Sequence, residues 1–180
     1  LMGDILMKIQ KYNNEKEALI EFLTTNEWPF HVNTIVNRES ITKTIESGYY
    51  EDEKETYWII DNGEKQGILI IEDIDDSIPL IDIRLAKKAR GKGYGKQALL
   101  WLKDYLFGEL GKIRVEGYTR ADNLAMRKCF TNAGFVKEGY LRNAWENKDD
   151  SVSDSILYAA IFTDWKTNCI TRPNFEDYPF

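Results

Sequence analysis

The stretch from Ile81 to Lys96 constrains the fold more than any other part of the chain. Ile81, Ile83 and Leu85 alternate with Asp82 and Arg84, the period-two pattern of a strand with one apolar and one charged face. After Gly95 the pattern changes, and Ala98, Leu99, Leu102, Tyr105 and Leu106 recur at helical spacing. Between the two lies Arg90-Gly91-Lys92-Gly93-Tyr94-Gly95-Lys96. A strand therefore feeds a helix through a short, basic, glycine-rich loop. Glycine lets a backbone approach an anion closely and adopt φ values that other residues resist. The first turn of the helix adds unpaired N–H groups and the positive end of a dipole. Such a loop suits a phosphate or pyrophosphate.

Two common phosphate motifs do not fit. A dinucleotide fingerprint requires its third glycine where Lys96 stands, and a P-loop requires glycine at Arg90 and Ser or Thr at Gln97. The pattern that does fit is Arg-x-x-Gly-x-Gly, formed by Arg90, Gly93 and Gly95. Downstream stands Asn123-Leu-Ala-Met-Arg-Lys-Cys-Phe130-Thr-Asn-Ala-Gly134-Phe135. Together the two segments resemble the GNAT superfamily of N-acetyltransferases: its pyrophosphate loop, then its Asn-x-x-Ser/Ala-x-x-x-Tyr/Phe-x-x-x-Gly-Phe helix, with Met126 in place of the small residue. The resemblance runs from about Gln66 to Ile161. Glu138-Gly-Tyr-Leu-Arg142, with Asp154 and Tyr158, is similar to the ribosomal-protein N-terminal acetyltransferase branch. Asp82-x-x-Leu-Ala and the Asn-Leu-x-x-x-Arg-x-Cys-Phe helix are similar to aminoglycoside 6'-N-acetyltransferases. Neither likeness decides the acceptor.

The resemblance implies an α/β (α+β) fold: a mixed, mostly antiparallel sheet with a splayed central parallel pair and helices on both faces. It implies acetyl-CoA as cosubstrate and no metal. It places coenzyme contacts at Ile83, Arg84, Leu85, Arg90, Gly91, Lys92, Gly93, Tyr94, Gly95, Lys96, Asn123 and Phe130. The helices after the first strand would wall the acceptor cleft, which brings Trp28, Phe30 and His31 near substrate, with His31 open to reading as a catalytic base or as a surface or structural histidine. The oxyanion would be met by a backbone N–H around Leu85 or Ala86.

Acetyl transfer to an amine requires a neutral nucleophile, and a lysine-like amine has a pKa of about 10.4. Asp82, a carboxylate on the strand just before the loop, is the expected base, with a salt bridge to Arg84 as its competing role. The leaving thiolate wants a proton. The family often supplies it from a tyrosine where this chain has Phe130, which cannot donate, so Tyr158 is the expected substitute, with Tyr140 or solvent as alternatives. Cys129 reads as a packing residue, and Asn123 as a helix cap that also meets the coenzyme. The expected reaction is acetyl transfer to a primary amine of a small molecule or a protein N-terminus. Aminoglycosides are the alternative substrate class, and a non-catalytic acyl-CoA-binding or sensing module is the alternative function.

Composition narrows the setting. The 180 residues suit one domain, taken as 1–165 with a tail over 166–180, and 43% hydrophobic content suffices for a core. A net charge of −6 argues against binding nucleic acid by charge neutralisation. Two cysteines and one histidine give no zinc pattern. With no membrane-length apolar run and no secretory leader pattern, the expected location is cytoplasmic, without a membrane partner. Exposed aromatics such as Trp101 leave a homodimer open.

The remaining elements follow from periodicity and punctuation. Strands are expected at Ile5–Gln10, Thr56–Asp61, Gln66–Ile74, Lys112–Tyr118, Phe135–Asn143 and Asp154–Ile161. Asn62-Gly63 marks a hairpin. Helices are expected at Glu15–Thr24, capped by Asn13 or Asn14, at Arg38–Ser47, and from Asp122 or Asn123 to Gly134.

Overall fold

The computed structural model describes residues 7–176. Its strands are β1 (Met7–Lys11), β2 (Lys54–Asp61), β3 (Glu64–Glu72), β4 (Leu80–Leu85), β5 (Arg114–Arg120), β6 (Val136–Glu146) and β7 (Val152–Ile161). They form one sheet in the order β1-β2-β3-β4-β5-β7-β6. Every neighbouring pair is antiparallel except β4 and β5. That parallel pair is joined in register only at Leu80 and Glu116. Its supporting bonds, Ile113 N–H to Ser77 O at 3.2 Å and Glu116 N–H to Pro79 O at 3.1 Å, lie toward the strands' starts. Beyond Leu80 the two strands part, and the sheet carries a wedge-shaped opening at its centre.

The alternation along each strand divides the apolar side chains between two cores. Helices α1 (Lys16–Thr24) and α2 (Arg38–Glu46) cover one face, where Leu19, Leu23, Ile41 and Ile45 pack with Trp58, Ile68 and Ile70. Helices α3 (Tyr94–Lys103) and α4 (Leu124–Asn132) cover the other, where Leu99, Leu102 and Phe130 pack with Leu69, Ile71, Ile81 and Tyr158. After α3 the chain makes a π-helical turn, Asp104–Glu109. Helix α5 (Phe162–Thr167) follows β7 and sets Trp165 against Phe107, ring centroids 6.0 Å apart.

Most expected elements are present with shifted ends. Ile5 and Leu6, in the expected first strand, lie outside the described residues. Helix α1 has Glu15 rather than Asn13 or Asn14 at its N-cap, without a side-chain cap bond. Glu15 is drawn elsewhere: its carboxylate accepts from Trp58 Nε1 at 2.8 Å and pairs with Lys65 at 3.3 Å. Asn62 and Gly63, at φ 49° and 79°, make the tight β2–β3 turn that the dipeptide signals. β3 stops at Glu72, two residues early, and Lys112 caps the turn that follows by donating to Asp76 O at 2.7 Å and to Ile74 O. Trp101 is half-buried rather than exposed, stacked on Tyr105 with ring centroids 5.2 Å apart. Helix α5 straddles residue 165, and Asp164 holds the chain beyond it by accepting from Thr171 N–H at 3.0 Å and Thr171 Oγ1 at 2.9 Å. Among the described residues no helix is long and apolar enough to cross a membrane.

Gly117 in β5 shows how tightly the second core closes. A Cβ there would stand 2.4 Å from Phe130 Cζ. Phe130 cannot retreat, because Phe135 and Tyr158 flank it with centroids at 5.1 and 5.0 Å. Gly117→Ala should therefore cost about 1–3 kcal/mol through overpacking. Urea unfolding should show a lower midpoint with an unchanged slope; an unchanged midpoint would mean that the core is looser than this packing.

Candidate active site

The hydrogen-bonding pattern of β4 fixes what lines the central opening. Ala86 N–H donates to Gln66 O on β3 at 2.9 Å. Residues of an antiparallel strand alternate between bonding one neighbour and facing the other. With Gln66 opposite Ala86 and Gly67 opposite Leu85, the even-numbered residues Asp82, Arg84 and Ala86 bond to β3. The N–H groups of Ile83 and Leu85 point the other way, toward β5, which has already diverged. Two backbone donors thus face the opening without a strand partner. Ala86, one of the two expected oxyanion donors, is committed to β3, which leaves Leu85. Gly67 keeps this geometry possible, since a Cβ there would lie 2.6 Å from both Arg84 O and Leu85 Cδ2. Sequence reasoning passed over Gly67, although a lone glycine within an apolar strand signals close approach.

The opening leads into the glycine loop. After a 3₁₀ turn at Lys87–Ala89, Gly91 and Gly93 take φ of 75° and 89°, the left-handed region, and Gly93 is the N-cap of α3. Gln97 N–H returns to Gly93 O at 3.1 Å, so the N–H groups of Tyr94, Gly95 and Lys96 form the free first turn. Lys92 and Lys96 are exposed beside them. Arg90 departs from expectation. Its Nε donates to Leu85 O at 3.1 Å and its Nη2 to Glu27 O, so it braces the loop against the α1 side instead of standing free for a phosphate. The Tyr94 side chain also turns away, its hydroxyl donating to Asp61 Oδ2 at 2.7 Å. Only the Tyr94 backbone remains for an anion.

On α4, Asn123 caps the helix, its Oδ1 accepting from Met126 N–H at 3.2 Å. Phe130 is 1% exposed and stacks on Tyr158, 5.0 Å between centroids and 14° between planes. Tyr158 lies on the core face of the sheet, opposite to Asp82, so the two expected catalytic side chains do not converge. Cys129 packs beside Gly95, and burial pushes its thiol up to about 11, which keeps it protonated and unreactive.

The other face of β4 carries the polar cluster. Asp82 Oδ1 lies 3.1 Å from His31 Nε2, and Oδ2 accepts from Arg84 Nε at 2.9 Å. Burial alone would raise the Asp82 carboxyl; the Arg84 guanidinium and His31 outweigh it and hold the group well below the usual carboxylate range. Arg84, expected at the coenzyme, instead has its backbone bonded toward β3 and its side chain paired with Asp82. Tyr50 lies beside this pair, and burial pushes its hydroxyl up to about 12. Trp28, expected as a stacking surface for substrate, is core: it is 1% exposed, with Nε1 donating to Leu23 O at 3.0 Å. The Arg84 and Arg90 guanidiniums both lie over its ring, each 5.9 Å from the centroid. Phe30 reaches across toward β5, where Arg120 stands 5.3 Å over its ring. Nothing in the sequence marks Tyr50, Arg120 or the Glu27 carbonyl as neighbours of this cleft. Among the described residues no group of three or more His, Cys, Asp or Glu is placed to hold a metal ion.

No curated protein matches the chain. Among solved structures, the dodecameric spermidine N-acetyltransferase of Vibrio cholerae superposes with a TM-score of 0.72 at 11% identity, over 90% of this chain and 97% of that one. A protein described only as "Probable acetyltransferase" superposes with a TM-score of 0.72 at 22% identity, over 88% and 94%. At these identities the likeness is one of fold. The family model of the acetyltransferase (GNAT) domain matches residues 7–136, which include the parted strands, the glycine loop and the whole of α4. The chain belongs to the GNAT acetyltransferase family.

Proposed function

We propose that the protein transfers an acetyl group from acetyl-CoA to a primary amine by direct attack, with both substrates bound at once. The observation that carries this reading is the pair of unpartnered N–H donors, Ile83 and Leu85, in a cleft that opens onto the glycine loop. The free amides of Tyr94 to Lys96, with Lys92 and Lys96, suit the coenzyme pyrophosphate. The strand-edge donors suit its amide-bearing arm and the thioester oxygen, whose negative charge grows during attack. Acetyl-CoA supplies an activated acyl group, and the chain supplies orientation, the oxyanion donor and proton acceptance. The amine enters from the α1/α2 face, where Asp82, His31 and Phe30 lie. Its class is a small-molecule amine or a peptide N-terminus.

The first test is release of CoA from acetyl-CoA across an amine panel of polyamines, aminoglycosides and peptides with Ser, Ala or Met N-termini. Turnover is expected on at least one class. Coenzyme binding without turnover on any of them would favour an acyl-CoA-sensing module, and no binding would remove the reading altogether.

Gly93 separates coenzyme binding from folding. The space beside it is open, so a side chain there would project into the ligand's approach rather than into the protein, while its φ of 89° is one that a branched residue adopts only under strain. Gly93→Val should weaken acetyl-CoA binding at least tenfold by calorimetry while circular dichroism still reports a folded chain. Unchanged affinity would dissociate this loop from the coenzyme.

Asp82 also ties the cleft to stability. Asp82→Asn leaves Arg84 half-buried without its counter-charge and should cost about 3 kcal/mol at neutral pH. A carboxyl depressed in the folded state stabilises above its unfolded pKa of about 3.9, and that contribution fades as pH falls through the folded value. The gap in Tm between wild type and Asp82→Asn should stay constant from about pH 8 to 5 and narrow below about pH 4. A gap that does not narrow in acid would mean that the pair does not stabilise the fold through its charge.

A further inference from the structure

Asp82 stands on the α1/α2 side of β4 beside the opening, and both of its oxygens are engaged. Oδ2 is held by Arg84 Nε at 2.9 Å and Oδ1 by His31 Nε2 at 3.1 Å. A carboxylate flanked by a guanidinium stays ionised and is a weak proton acceptor, so in this pair it accepts the hydrogen bond and Nε2 carries the proton. The tautomer is thereby set, with the lone pair of the ring on Nδ1. Among the described residues Nδ1 has no hydrogen-bond partner, and the His31 side chain is 25% exposed. The open acceptor of this cluster is on the imidazole, not the carboxylate.

The loop is built to put it there. Trp28, fixed in the core, donates its N–H to Thr34 O at 2.8 Å, and His31 N–H returns to Trp28 O at 3.0 Å. The Trp28 ring also meets the His31 ring edge-on, 6.3 Å between centroids. The groups around the imidazole are Asp82 and Arg84 from β4, with Tyr50 beside that pair, Trp28 beneath, and Arg120 of β5 beyond Phe30. Asp82 is the one anion among them.

We propose that His31 is the catalytic base of the acetyl transfer, that Asp82 is a positioning residue acting through it, and that Arg84 is the counter-charge that keeps Asp82 ionised. This rests on the acetyltransferase reading above. An acceptor bound as an ammonium gives one proton to His31 Nδ1 and becomes a neutral amine. Its nitrogen then forms the C–N bond at the thioester carbon. As the C–S bond breaks, the electron pair leaves on sulfur, and the second nitrogen proton passes to the thiolate directly or through solvent. The products are the N-acetyl amine and CoA thiol, and the imidazolium returns its proton to solvent.

The test uses the full chain with the acceptor from the panel, and the variants His31→Gln and Asp82→Asn. His31→Gln should lower kcat/KM at least about 100-fold, within the range for general base catalysis, with unchanged acetyl-CoA affinity and a circular dichroism spectrum that still reports a folded chain. It should also abolish the acid limb of the pH–rate profile. The second readout is activity-free: the sequence holds a single histidine, so ¹⁵N NMR of the ligand-free protein reports its tautomer without ambiguity. Nε2–H is expected in wild type, with loss of that preference in Asp82→Asn. Activity of His31→Gln within threefold of wild type, or a wild-type Nδ1–H tautomer, overturns the proposal. If His31→Gln fails to fold, the wild-type tautomer and its change in Asp82→Asn decide. Absence of any wild-type turnover removes the acetyltransferase reading and this one with it; turnover that survives His31→Gln removes this one alone.

Discussion

The structure depends on a hydrogen-bond ladder that stops. β4 and β5 meet in register at one pair of residues and then diverge, so a central strand of the sheet has one bonded edge and one free edge. Inside a folded domain an unpaired backbone donor is costly and calls for a partner. Here the donors of Ile83 and Leu85 line an opening that continues into the left-handed glycines and the bare first turn of α3. The cleft is thus lined largely by backbone where it runs from β4 into the glycine loop. Side chains serve to hold that backbone: Gly67 by its absence of a Cβ, Arg90 by tethering Leu85 O to Glu27 O, and Tyr94 by anchoring the helix start to Asp61.

The two faces of β4 carry different work. Ile81 and its companions seal the core against α3 and α4, while Asp82 and Arg84 face α1 and the loop after it. A period-two strand keeps the apolar and polar sets apart without further instruction. Trp28 links the two halves of the site. Buried beneath the cleft, its ring lies near both the Arg84 and the Arg90 guanidiniums, and its backbone sets the turn that carries His31. A buried aromatic residue thereby positions both the arginine that braces the glycine loop and the histidine that meets Asp82.

Much of this was legible in the residues, for reasons that are local. The alternation at Ile81–Leu85, the Asn62-Gly63 turn and the Asn123 cap are each decided within a few positions, and each appears in the structure. The errors arise where a distant partner outcompetes a local role. Arg90 and Tyr94 look like ligand groups until carbonyls and a carboxylate from elsewhere claim them. Glu15 displaces Asn14 at a helix start because Trp58 and Lys65 hold it there. Asp82 reads as a base or as the partner of Arg84, two positions away; that His31, 51 positions away, closes on its other oxygen is not written locally. Burial is equally non-local, and it turns Trp28 from a plausible platform into core.

The parted strands have a further consequence for how the molecule coheres. β1 to β4 form one plate and β5 to β7 another, and the seam between them has a single register pair. What joins the plates across it is side-chain packing: Leu69, Ile71 and Ile81 of one share a buried core with Val115, Ile156 and Tyr158 of the other, so the sheet can open its ladder at the centre without coming apart.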